Sequence, residues 1–86
     1  MQRAVILYGL PLTFTAEALR ELLSRFGTVQ LVRLSQPDHS SFIIGYGKMK
    51  HRDEAREAVK MLHGTMVGGY TLIVHRSMPL TSLTPS

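Results

Sequence analysis

Residues 42–49 read FIIGYGKM, and the alternation within this stretch decides the fold. Successive side chains of a strand point to opposite faces. Ile43, Gly45, Gly47 and Met49 therefore share one face, while Phe42, Ile44, Tyr46 and Lys48 share the other. Two glycines on one face let a helix lie close against the strand. The first face is expected to be the core side, and the second to carry no helix.

Helical patterns flank this strand on both sides. Upstream, Leu19, Leu22, Leu23 and Phe26 fall at i, i+3, i+4 and i+7, which makes one apolar stripe. Thr15 is placed as the N-cap, Glu17 in the first turn where the helix dipole favours an acid, and Gly27 as the stop. Downstream, Ala55, Ala58, Val59 and Leu62 repeat the spacing, and Gly64 ends it. Further out lie strand-like runs at residues 3–8 (RAVILY), 29–34 (VQLVRL) and 70–75 (YTLIVH). Gly9, Leu10 and Pro11 close the first run, Pro37 breaks the loop at 35–41, and Gly68-Gly69 makes a tight turn.

The element order is βαββαβ. Because each helix has a single apolar stripe, both are expected on one face of a four-stranded antiparallel sheet. That is an α+β, ferredoxin-like sandwich. The expected domain covers residues 1–77, and residues 78–86, with two prolines and no periodicity, form an expected mobile tail.

Composition narrows the class. The chain has 86 residues, enough for one domain, and its 44% hydrophobic content argues against disorder. It has no cysteine, so disulfides, thiolate metal sites and cysteine nucleophiles are excluded together. The longest apolar run, residues 4–12, is broken by Gly9 and Pro11 and is far short of the ~20 residues of a spanning helix. Arg3 followed by AVILYGLPL imitates a secretory signal, but cleavage near Ala16 would remove the first strand. No membrane is expected, and the location is expected to be intracellular with its compartment open.

The net charge is +4, with a pI near 10.0. Each helix sums to zero charge, so the excess falls on strands and strand ends, at Arg3, Arg33, Lys48, Lys50 and Arg76. Parity puts Ile6 and Tyr8 on the helix-free face from the first strand, Arg33 from the second, and Ile73 and His75 from the fourth. With Phe42, Ile44, Tyr46 and Lys48, that face interleaves flat rings with cations. Rings stack on bases at about 1–3 kcal/mol each and cations neutralise phosphates, so the pattern suits single-stranded nucleic acid.

At this point the chain resembles an RNA recognition motif across most of its length. VILYGLP at residues 5–11 resembles the family's first-strand hexamer, and AEALRELLSRFGTV at 16–29 its first helix. FIIGYGKM resembles its third-strand octamer, and DEAREAVKMLHG at 53–64 its second helix. The resemblance implies binding of short single-stranded RNA across the sheet, with bases stacked on aromatic side chains. Ile6 and Ile44 stand where that family usually has stacking aromatics, and Tyr46 is the aromatic that remains. The expected RNA-binding residues are Ile6, Tyr8, Arg33, Phe42, Ile44, Tyr46, Lys48, Lys50, His75 and Arg76.

Outward Ile6, Ile44, Ile73 and Phe42 also make an apolar patch, and such patches mark protein contacts. A protein-docking or self-associating sheet face is therefore the alternative, and cover by the C-terminal tail is a third reading. The four histidines, spaced by 12 residues at 39, 51, 63 and 75, lack a repeat around them, so no metal site is read from them. Small hydrolases on the same βαββαβ plan use an asparagine, and this chain has none. No enzyme activity and no cofactor are expected.

Overall fold

A computed structural model describes residues 3–37 and 39–77, with the side chain of Ser77 left aside. The expected tail at 78–86 lies outside the described residues. The elements in order are β1 (Ala4–Leu10), α1 (Ala16–Ser24), β2 (Val29–Ser35), β3 (Ile43–Met49), α2 (Arg52–Leu62), β4 (Met66–Val67), β5 (Tyr70–Thr71) and β6 (Ile73–Ser77). Strands β2-β3-β1-β6 form one antiparallel sheet in that order. The expected ferredoxin-like sandwich is what the chain adopts.

Both helices cover the same side of the sheet, and α1 begins where the sequence places its cap. Thr15 accepts the N–H of Ala18 at 3.0 Å, opening α1. Glu54 in the first turn of α2 accepts the N–H of His51 at 3.1 Å. Leu19 and Leu23 of α1 and Ala55, Ala58 and Leu62 of α2 are buried with Val5, Leu7, Met49 and Val74 of the sheet and with Leu72 just ahead of β6. Gly45 and Gly47 sit beneath α1. A Cβ on Gly45 would lie 2.7 Å from Leu10 Cδ1, and one on Gly47 would overlap Leu23 Cδ1. The helix approaches so closely because those side chains are absent.

Three features differ from the sequence reading. β1 does not stop at Tyr8 but runs on through Gly9 to Leu10. Gly9, at φ 103°, forms a bulge, so that Tyr8 pairs with Ile44 but Leu10 pairs with Ile43. The bulge resets the alternation and turns Leu10 inward, where it is fully buried. Second, the run at 70–75 is not one strand. Tyr70–Thr71 pair with Met66–Val67 in a separate hairpin across Gly68 and Gly69, both at positive φ, and the sheet strand begins at Ile73. Third, β3 starts at Ile43, one residue after Phe42.

Candidate nucleic-acid interface

The register of the sheet builds the open face as rows that run across the strands. Arg33 of β2 pairs with Tyr46 of β3, Tyr46 with Ile6 of β1, and Ile6 with His75 of β6. The neighbouring row runs Ser35, Ile44, Tyr8, Ile73. On the other side, Leu31 pairs with Lys48, and Lys48 with Ala4. All of these leave the sheet on the side away from the helices, since their strand neighbours Val5, Leu7, Gly45 and Gly47 face the core.

Two depressions mark this face. One of about 290 Å³ is lined by Ile6, Arg33, Leu34, Ser35, Ile44 and Tyr46. A shallower one of about 150 Å³ is lined by Tyr8, Gly9, Phe42, Thr71 and Ile73. Small-molecule sites occupy about 300–1,000 Å³, so each depression suits one planar group, not a whole drug-sized ligand. Arg33 is exposed at the rim of the larger one, and none of the described open-face residues carries a carboxylate.

The expected site residues divide into groups. Ile6, Tyr8, Arg33, Ile44, Tyr46, Lys48 and His75 share the open face, and Phe42 borders it just ahead of β3. Lys50 lies past the end of β3, where its carbonyl accepts Arg3 Nη1 at 3.4 Å. Arg76 pairs with Val5, so its side chain departs from the opposite face to His75. The parity that selected Arg33 and His75 separates Arg76 from them.

Tyr46 is on the open face but only 5% exposed, and Ala4 is fully buried there. Neither belongs to the helix-covered cluster. The Tyr46 ring is thus the floor of a depression between Ile6 and Arg33, not a free-standing platform. Leu31 is an open-face residue that sequence reasoning missed. Its parity with Arg33 is the signal that could have found it, since the bulge between Val29 and Leu31 lies ahead of it and turns Val29, not Leu31, to the core side.

At the outer edge, Tyr8 meets His75 with ring centroids 6.4 Å apart at 66°, and His75 meets His63 at 5.9 Å and 42°. His63, just past α2, accepts the N–H of Val74 on Nδ1 at 3.0 Å. Two of the four evenly spaced histidines are therefore neighbours in space. No group of three or more His, Cys, Asp or Glu able to hold a metal occurs among the described residues.

Comparison with known proteins places this geometry. No curated protein sequence matches the chain. Among solved structures, the third RRM of Pes4 superposes with a TM-score of 0.82 at 18% identity, covering 90% of this chain and 93% of that one. The Rna15 RRM with bound RNA (GU) gives 0.80 at 21% identity, over 96% and 95% of the two chains. RNA recognition domains 1 and 2 of Sex-lethal from Drosophila melanogaster give 0.77 at 20% identity, over 90% of this chain and 50% of that one. These likenesses concern the fold. Residues 5–73 match the RNA recognition motif itself, the span that holds both helices and the rows Arg33–Tyr46–Ile6 and Ile44–Tyr8–Ile73, and the chain belongs to the RNA recognition motif family.

Proposed function

We propose that this domain binds short single-stranded RNA on its open sheet face. The observation that carries the reading is the cross-strand row Arg33–Tyr46–Ile6–His75, with the depression over Tyr46 at its centre. One base enters that depression, against Ile6, Ile44 and Tyr46, and a second rests against Tyr8 and Phe42 in the shallower one. Arg33 and Lys48 meet phosphates. The Rna15 structure holding GU and a Sex-lethal complex with RNA, both of this fold, support the choice of ligand.

The stacking set is small, because isoleucines fill two positions that rings occupy elsewhere in the family and Tyr46 is nearly buried. Affinity is therefore weak, with Kd above ~1 μM, and base preference is modest. The domain acts as a binder without catalysis or cofactor. Amide shift mapping of the full chain with mixed short RNAs tests this. Shifts are expected in β1, β3 and β6 around Ile6, Ile44 and His75, whereas shifts confined to the helices overturn the site.

A second reading has its own observation. Ile73 is 47% exposed beside Tyr8 and Ile44, an apolar cluster suited to a protein partner or a second copy. Sedimentation at high concentration separates the two: a monomer that binds RNA removes the self-association version.

A further inference from the structure

The ring-bearing surface does not end at the sheet. β6 is an edge strand, and the rings of Tyr8 on β1, His75 on β6 and His63 beyond it follow one another around the edge toward the end of α2. Both imidazoles are exposed. Because His63 Nδ1 accepts the Val74 N–H, the neutral ring carries its proton on Nε2, which is left as a donor pointing away from the strand. His75 is also the last member of the row that starts at Arg33, so a strand laid along that row arrives at this pair.

We infer that the sheet edge holds one further nucleotide, its base against the His75 ring and a phosphate oxygen on the Nε2–H of His63. The inference rests on the RNA reading above and extends its path beyond the two depressions. Stacking on an imidazole is tolerant of base identity, since every base presents a π-face, so the step adds affinity without sequence preference. A metal is not the ligand, because the pair has no third donor among the described residues.

The test uses the full chain and a ladder of oligouridylates lengthened one nucleotide at a time. Affinity is expected to rise about fivefold or more at the length that first reaches the edge. His63→Asn is expected to abolish that rise and leave the shorter strands unaffected. The Asn Oδ1 sits as many bonds from the backbone as His Nδ1, so the bond from Val74 is kept while the ring and its outer donor are lost. His75→Ala is expected to remove the rise as well. The Hε1 resonance of His63 should move only with strands long enough to show it. Short strands that bind without any later rise, or a rise that survives both variants, overturn the inference and leave the RNA reading standing. Failure of every oligomer to bind overturns both.

Discussion

Arg33 lies directly across from Tyr46 on the open face, whereas Arg76 lies across from Val5 and leaves by the other face. The two arginines have the same charge and both are exposed, yet only one borders the depression over Tyr46. Arg33→Gln is expected to weaken RNA binding and reduce the log–log salt slope by about 0.7, the contribution of one phosphate contact on a single strand. Arg76→Gln should leave the slope nearly as it was. Equal effects from both would mean that the charge acts as a diffuse field, and titrations at several salt concentrations decide it.

The close approach of α1 to β3 yields a stability prediction. Leu10, Leu19 and Leu23 are fully buried and occupy the space above Gly45 and Gly47. Adding one methyl there overpacks a closed core, at a cost of about 1–3 kcal/mol. Gly45→Ala and Gly47→Ala should each lower Tm by several degrees in a thermal melt, since ~1 kcal/mol shifts a domain of this size by about 4–8 °C.

Gly9 is a different case, because its φ of 103° is unfavourable for any residue with a Cβ. The added Cβ would also lie 3.0 Å from the Thr71 carbonyl oxygen. Gly9→Ala is expected to cost about 1–3 kcal/mol in urea unfolding. Loss of the bulge would disturb the Leu10–Ile43 pair, so those two amides should show the largest chemical-shift changes.

The bond from Val74 to His63 makes an edge-strand prediction independent of RNA. His63→Ala leaves the Val74 N–H without its partner and should cost about 0.5–1.5 kcal/mol. Hydrogen exchange at Val74 should quicken. His63→Asn should recover most of both losses, because its side-chain carbonyl accepts the same bond.

Much of this architecture could be read in advance because it rests on simple periods. The 3.6-residue spacing of Leu19, Leu22, Leu23 and Phe26, and the twofold alternation of Ile43 to Met49, each point to one buried side, and those sides are buried. Parity also brought Ile6, Tyr46 and His75 to one face. It failed where the backbone departs from a regular strand. The bulges at Gly9 and between Val29 and Leu31 turned Leu10 and Val29 inward, and the break at Leu72 split the expected last strand. Arg76 was selected for its charge alone, and alternation places it away from the row. The near-burial of Tyr46 depends on neighbours from two other strands, and the meeting of His63 with His75 depends on how α2 docks against β6. Neither is a property of any local segment.

The row Arg33–Tyr46–Ile6–His75 draws its members from points as far apart as Ile6 and His75 in the chain, held in line only by strand register. Extra residues in the connection between β2 and β3 would leave the line undisturbed. Deleting a single residue inside β1 would exchange inside for outside, sending Val5 and Leu7 into water and Ile6 under the helices. Length variation is therefore permitted between the strands of this domain and forbidden within them.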